Sequence, residues 1–107
     1  MASFTLNELA ARVKERAAAS AETSYTRKLL DKGVAHCAKK LGEEAVETAL
    51  AAVGESRERL IAETADLLYH LLVLLEARAV SFNEVEAALA ERIGVSGLDE
   101  KASRPRA

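Results

Sequence analysis

Two pairs of acidic residues near the middle of the chain have the spacing of neighbours on a helix. Glu44 and Glu47 form the first pair, and Glu63 and Asp66 form the second. Residues three apart lie on one face of an α-helix, so each pair presents two carboxylates on the same side. The 54–56 turn lies midway between the pairs, roughly 10–14 Å of helix from each. An antiparallel hairpin folded at this turn would bring all four carboxylates level.

Carboxylates that face one another inside a helical bundle repel, and burial adds a desolvation cost to each charge. A divalent cation removes both penalties, and protonation is the alternative remedy. A set of ligands made only of carboxylate oxygens favours a hard ion, with Mg²⁺ as the first choice and Mn²⁺ as a possible substitute. Because Mg²⁺ keeps waters or takes substrate phosphates, its site retains open positions. The two pairs therefore predict a magnesium site.

The alternative interpretation of these residues is a solvated surface. Glutamate on a helix is usually exposed, and a single E-x-x-E pair carries little information. Two pairs placed symmetrically about a turn are harder to explain in this way. Asp66 is the strongest indication of a site, because aspartate is a poor helix former and this one lies inside the apolar 65–75 stretch. We interpret the constellation as functional.

The composition predicts that helices carry these pairs. Half of the 107 residues are hydrophobic, 4% are aromatic and Pro105 is the only proline, so we expect one all-α domain. The net charge of −2 gives no basic field for nucleic acid. Cys37 is the only cysteine, which rules out an intrachain disulfide and fits a reducing compartment. Without a signal-peptide core or an apolar stretch long enough for a bilayer, we expect a cytoplasmic protein with no membrane partner.

Capping residues and glycines divide the chain into five predicted helices. Thr5 with Glu8, and Ser81 with Glu84, fit capping boxes. The predicted helices span approximately 5–20, 24–33, 34–53, 56–78 and 81–93. Residues 1–94 form the predicted domain, and the polar segment 95–107 forms a tail.

The fourth predicted helix is apolar nearly all round, because only Asp66, Tyr69 and His70 interrupt its 65–75 stretch. Such a helix belongs in the centre of a bundle, and this chain has few other helices to cover it. We therefore expect a homodimer or larger assembly with four-helix-like packing. On the third helix, Glu44 lies at the edge of a predicted apolar arc made by Leu41, Ala45, Thr48 and Ala52.

Several segments of the chain resemble a known enzyme family. The two acidic pairs are similar to the signature of the all-α nucleotide pyrophosphohydrolases, which include MazG-type and dimeric dUTPase enzymes. A closer resemblance is to the phosphoribosyl-ATP pyrophosphohydrolase family of histidine biosynthesis, and it covers about residues 5–104. The segments that carry this resemblance are SYT at 24–26, KLL at 28–30, KLGEEAVET at 40–48, ETADLLYHLLVLL at 63–75 and KASR at 101–104.

The resemblance implies a MazG-like helical bundle of four to five helices per chain, completed by homodimerisation. It also implies a hydrolase that converts phosphoribosyl-ATP and water to phosphoribosyl-AMP and pyrophosphate, with Mg²⁺ positioning water for in-line attack. Glu43 and Glu47 are both candidates for the general base, and the sequence does not choose between them. By motif position, the implied metal ligands are Glu44, Glu47, Glu63 and Asp66.

Cationic residues are candidates for binding the substrate phosphates. Lys40 lies one turn before Glu44 and either reaches a phosphate or forms an ordinary Glu–Lys helix pair. The other candidates would hold the phosphoribosyl arm, and a solvated surface position is the alternative for each of them. They are Arg27, Lys28, Lys32, Lys101 and Arg104. The 95–107 tail is a candidate lid that orders over the substrate.

Two other functions remain open at the level of sequence. A pyrophosphohydrolase that removes nucleoside triphosphates would share the hairpin motif, and only residues 24–30 and 101–104 favour the histidine pathway. A non-catalytic helical dimerisation module would use its acidic residues for solubility alone. That module predicts no stabilisation by magnesium.

Overall fold

The computed structural model describes residues 3–93, and these residues form five α-helices. The helices are α1 (Leu6–Ala17), α2 (Tyr25–Asp31), α3 (Val34–Gly54), α4 (Arg57–Ala77) and α5 (Phe82–Glu91). The described part of the chain contains no strand, which confirms the all-α prediction. Residues 94–107 lie outside it, and so do the predicted tail and its candidate phosphate ligands Lys101 and Arg104.

Side-chain caps begin the helices where the sequence predicts them. The hydroxyls of Thr5, Ser24, Ser56 and Ser81 accept backbone N–H groups of α1, α2, α4 and α5, respectively. Each cap satisfies a donor that the first helical turn leaves without a partner. The capping box predicted at Ser81 is complete, because the Glu84 carboxylate also accepts the Ser81 N–H at 2.8 Å.

The end of α1 was predicted about three residues too late. α1 ends at Ala17 rather than near Ser20. The Ser24 hydroxyl donates to the Arg16 carbonyl at 2.9 Å, and so satisfies an acceptor at the helix end. The chain then turns through Ser20–Ser24 into α2. At the next junction Gly33 has φ +96°, a conformation that favours glycine and that reverses the chain between α2 and α3.

The hydrophobic core lies around the C-terminal half of α4. Its buried members are Val13, Leu29, Cys37, Leu72 and Val73, which come from α1, α2, α3 and α4. α4 therefore lies centrally among the other helices, as its apolar sequence predicts. None of the described helices is long and apolar enough to cross a membrane.

α3 and α4 form an antiparallel hairpin with the most extensive helix–helix interface in the described chain. Residues 55–56 connect them. Near the middle of the hairpin the Thr48 hydroxyl lies 2.8 Å from the Glu44 carbonyl in its own helix and 3.1 Å from the Glu63 carbonyl in α4. This contact fixes the register in which the two helices present their acidic residues.

Replacing Thr48 by valine should destabilise the protein by about 0.5–1.5 kcal/mol, the usual net value of one hydrogen bond. The control is Thr64→Val, which should lose less stability, because the half-buried Thr64 hydroxyl donates only within its own helix, to the Leu60 carbonyl at 2.7 Å, and such a bond adds little to helix stability. Urea unfolding at one protein concentration measures both changes. Equal losses for the two variants would contradict the bridging role of Thr48.

Candidate active site

Three of the four predicted metal ligands converge where the hairpin leaves the core. Glu44 comes from α3, while Glu63 and Asp66 come from α4, and each offers an oxygen within 4.8 Å of the other two. Glu63 is buried, Glu44 is half-buried and Asp66 is exposed. The cluster therefore has a buried floor and an open side.

Two oxygens in this acidic cluster have no hydrogen-bond donor among the described residues. They are Oε2 of Glu44 and Oε2 of Glu63, and both atoms are buried. The other Glu63 oxygen accepts from the Arg59 guanidinium at 2.5 Å. Buried carboxylate oxygens without partners are costly, and a cation between them would remove that cost. A cluster made only of carboxylates suits a hard divalent ion, so these residues fit a metal site.

The electrostatics of Glu63 reflect the crowding of negative charge. Burial is the largest cause that raises the pKa of Glu63, and a contact with the Glu47 carboxyl raises it further. Asp66 acts in the same direction, whereas Arg59 lowers the pKa. Glu63 therefore binds its proton more tightly in the fold than an exposed glutamate does.

Glu43 and Glu47, the two candidates for the general base, lie on the open side of the cluster. Both are exposed, and they line a wide depression together with Gly42 and Val46. Glu47 contacts Glu63 but is not one of the three residues whose oxygens converge. Glu43 forms an ion pair with Lys40, whose Nζ lies 3.3 Å from Glu43 Oε1. Glu47, the fourth predicted metal ligand, is thus adjacent to the cluster, and its metal-binding role stays a prediction.

The apolar arc predicted on α3 was rotated from the face that packs on α4. Ala45 and Ala52 are exposed, and Ala51 is buried instead. The face toward α4 consists of Leu41, Glu44, Thr48 and Ala51. α3 has a second apolar stripe on its outer side, formed by Val46, Leu50 and Val53. The predicted arc lay between the two stripes. The prediction therefore placed Glu44 at the edge of the arc, whereas Glu44 lies on the face that packs against α4.

Three of the predicted phosphate ligands line a single cleft of about 420 Å³ between α2 and α3. They are Lys28, Lys32 and Lys40, and His36 and Tyr25 line the same cleft, which we call the lysine cleft. Lys40 links it to the acidic cluster, because a hydrogen bond to Glu43 and the charge of Glu44 both raise the pKa of Lys40.

Arg27, also a predicted phosphate ligand, does not line the lysine cleft, although its partner Asp31 does. Its guanidinium donates to the Ala17 carbonyl at 2.9 Å and to the Asp31 carboxylate at 2.6 Å. These contacts join α2 to the end of α1. A role for Arg27 in substrate binding stays a prediction, and it would require these contacts to be exchanged.

Comparison with known proteins agrees with this geometry. Residues 6–93 match the sequence profile of the family described as phosphoribosyl-ATP pyrophosphohydrolase. The chain belongs to that family. Its relatives include a Rhodopseudomonas palustris protein named phosphoribosyl-ATP pyrophosphatase 1, 64% identical over 99% of both chains. A Bradyrhizobium diazoefficiens protein of the same name is 64% identical over 97% of this chain and 98% of its own. A Rhizobium meliloti phosphoribosyl-ATP pyrophosphatase is 53% identical over 97% of both.

Membership of the phosphoribosyl-ATP pyrophosphohydrolase family makes this chain a hydrolase. One residue beside the acidic cluster, Arg59, was given no role by the sequence analysis. Arg59 lies one turn before Glu63 and occupies one of its oxygens, and the i,i+4 spacing was the available signal. The Tyr69 hydroxyl lies 2.6 Å from the Thr26 hydroxyl and so joins α4 to α2. His70 is buried beside the cluster. Burial and Lys40 lower its pKa, while Asp66 and Glu43 act in the opposite direction.

Replacing Glu63 by glutamine should stabilise the metal-free protein at neutral pH. The raised pKa means that the folded chain binds the Glu63 proton more tightly than the unfolded chain does, in which the pKa of this group is near 4.5. Stability from this group is therefore present below pH 4.5 and is lost as the pH rises through the folded-state pKa. The advantage of Glu63→Gln over wild type should grow across that interval in urea unfolding with EDTA.

The control for this measurement is Glu86→Gln, which removes an exposed carboxylate from α5. Its stability relative to wild type should stay nearly constant over the same pH range. A stability advantage of Glu63→Gln that does not depend on pH would contradict the crowding of charge around Glu63.

Proposed function

We propose that this chain hydrolyses phosphoribosyl-ATP to phosphoribosyl-AMP and pyrophosphate in histidine biosynthesis, with Mg²⁺ as its cofactor. The observation that carries the proposal is the convergence of Glu44, Glu63 and Asp66 beside the lysine cleft. An acidic cluster that fits a hard cation, next to a cationic cleft, suits a substrate with several phosphates. The names of the family and of its relatives supply the identity of that substrate.

Glu44, Glu63 and Asp66 would hold the magnesium ion, and Mn²⁺ is a possible substitute. When bound, the ion would supply positive charge that offsets the charge developing on the leaving pyrophosphate. The two buried oxygens without partners, on Glu44 and Glu63, support this assignment. Arg59 occupies the remaining Glu63 oxygen, so its guanidinium competes with the ion for the same carboxylate.

Glu47 is the better candidate for the base that accepts the proton of the attacking water. Its carboxylate is exposed and borders the acidic cluster through Glu63. Glu43 is instead engaged by the Lys40 ammonium at 3.3 Å. In this scheme water attacks in line, the α–β phosphoanhydride bond breaks and the water proton moves to Glu47.

The lysine cleft would bind the phosphoribosyl arm of the substrate. Lys28, Lys32 and Lys40 contribute three positive charges, and Asp31, which lines the same cleft, is paired with Arg27 at 2.6 Å. The cleft therefore keeps a positive balance. Its position on the Lys40 side of the acidic cluster would let one substrate place its triphosphate at the metal and its second phosphate among the lysines.

Pyrophosphate release from phosphoribosyl-ATP tests the proposal. The wild-type chain should turn over with Mg²⁺ and lose its activity with excess EDTA. Glu47→Gln should lower kcat by about 100-fold or more, the usual contribution of a general base. Glu43→Gln should have a smaller effect on kcat, and Glu86→Gln on α5 should have none.

Other substrates and outcomes complete this assay. ATP and dUTP, measured in parallel, should turn over far more slowly than phosphoribosyl-ATP. Faster turnover of these canonical triphosphates would favour a triphosphate-removing hydrolase. Full activity of Glu47→Gln would refute its role as the base, and metal-independent turnover would refute the cofactor.

We also propose that the enzyme is a homodimer. The outer stripe of α3 exposes Val46, Leu50 and Val53 by 57–84%, and Ile61 on α4 extends the apolar surface. A second copy that pairs its own hairpin with this surface would complete a four-helix packing. Because the proposed substrate is built from ATP, we assign the enzyme to the cytoplasm.

Sedimentation at micromolar concentration should give twice the chain mass. Leu50→Glu should shift the protein to monomer, because it places a charge within the apolar stripe. Leu89→Glu is the control, since Leu89 is similarly exposed but lies on α5. A monomeric wild-type chain would contradict the proposal.

A further inference from the structure

Tyr25 is an exposed aromatic side chain in the lysine cleft, where the proposed substrate would bring a purine base. It is 56% exposed and lines the lysine cleft together with Lys28, Lys32 and Lys40. Tyr25, Lys28 and Lys32 are three and seven residues apart, so they share one face of α2, whereas Thr26 and Leu29 are buried. The short helix therefore presents one ring beside two cations on its open side.

The Tyr25 ring is supported by a second ring behind it. The Tyr69 ring lies 6.4 Å away, centroid to centroid, at an interplanar angle of 19°. Tyr69 is itself fixed by the 2.6 Å hydrogen bond to Thr26 and by its packing against the core. The edge of His70 approaches Tyr25 at 6.5 Å and 84°. One side of the Tyr25 ring is thus supported by the fold, while much of its surface faces the cleft.

Tyr25 also lies close to residues that border the acidic cluster. It is near enough to Lys40 to influence its pKa, and Lys40 is paired with Glu43 at the rim of the acidic cluster. A ligand on Tyr25 would therefore lie in the same cleft as the lysines, and Lys40 in that cleft contacts Glu43 beside the acidic cluster. In phosphoribosyl-ATP the purine ring lies between the triphosphate arm and the phosphoribosyl arm. The cleft thus offers an aromatic ring and several cations to a substrate that carries a base between two phosphate-bearing arms.

We infer that Tyr25 is the platform on which the purine base of the substrate stacks, with Lys28, Lys32 and Lys40 holding the flanking phosphates. This inference rests on the proposed function for the identity of the substrate. An exposed aromatic ring offers a flat surface that stacks on any base, and stacking of this kind contributes strongly to nucleotide binding. Tyr25 thereby sets how tightly the substrate is bound, while the acidic cluster performs the chemistry.

A tryptophan probe tests base stacking without any turnover. The natural chain contains no tryptophan, so Tyr25→Trp introduces a single fluorophore at the proposed platform. AMP should quench its emission in a saturable manner, and ribose 5-phosphate and inorganic pyrophosphate, which lack the base, should not. Leu89→Trp is the matched control, because Leu89 is also 56% exposed but lies on α5. Equal quenching of the two probes by AMP, or no quenching of Trp at position 25, would overturn the inference.

Kinetics on the full chain provide the second test. Tyr25→Leu should raise the KM for phosphoribosyl-ATP by about 10- to 100-fold, as expected for a lost base–aromatic stack, with little change in kcat. The separate variant Tyr25→Phe should keep the KM within about twofold of wild type, because stacking needs the ring and not the hydroxyl. A purely structural role would instead lower the unfolding temperature and kcat together.

The two proposals fail in different ways. Absence of wild-type turnover refutes the proposed function, and the fluorescence titration with AMP still decides whether Tyr25 binds a base. Normal wild-type turnover with an unchanged KM in Tyr25→Leu refutes the stacking role alone. Release of a dimer into monomers by Tyr25→Leu, with no change in KM, would assign the exposed ring to a subunit contact and also refute the inference.

Discussion

The carboxylates of Glu44, Glu63 and Asp66 approach within 4.8 Å of one another, and residues 3–93 supply no donor to one buried oxygen of Glu44 and one of Glu63. Burial is the largest cause that raises the pKa of Glu63, the like charges of Glu47 and Asp66 raise it further, and the Arg59 guanidinium lowers it. A hard divalent ion bound among the three carboxylates would satisfy both buried oxygens and relieve the repulsion as well, so the cluster and the proposed hydrolysis would be two consequences of the same constraint.

The α3–α4 hairpin holds this unfavourable cluster at a point where the core has already ended. The buried core surrounds the C-terminal half of α4, whereas in the distal half of the hairpin only Ala51 and Glu63 are buried. Thr48 links the two helices at the level of the cluster through the Glu63 carbonyl. The stable half of the molecule can thus carry a site whose charges oppose folding, an arrangement typical of functional sites. The apolar outer stripe of the same distal half is where a second copy would add stability.

Much of the fold was predictable because its determinants are local. Ser24, Ser56 and Ser81 cap their helices through contacts three residues away, and Gly33 permits a conformation that other residues avoid. The end of α1 depends on a hydroxyl eight residues further along the chain, and the local pattern did not contain it. The C-terminal lysine and arginine lie outside the described residues, so their predicted roles stay predictions.

The acidic cluster was predictable from two spacings and a turn, since a hairpin must bring Glu44 level with Glu63 and Asp66. Its finer geometry was not. The rotation of α3 against α4 depends on which of two apolar stripes packs inward, and a helical wheel averages them. That rotation brings Glu44 into the cluster and leaves Glu47 beside it. The basic partner of Glu63 was likewise one of several cations with suitable helical spacing.

The most direct test of this account is the position of a bound divalent ion. Diffraction from crystals grown with Mn²⁺, measured near the manganese absorption edge, should give an anomalous peak bounded by carboxylate oxygens of Glu44, Glu63 and Asp66. The two buried oxygens should then be among its ligands. Saturating Mn²⁺ with no peak there, and with these three side chains directed apart into solvent, would contradict the account.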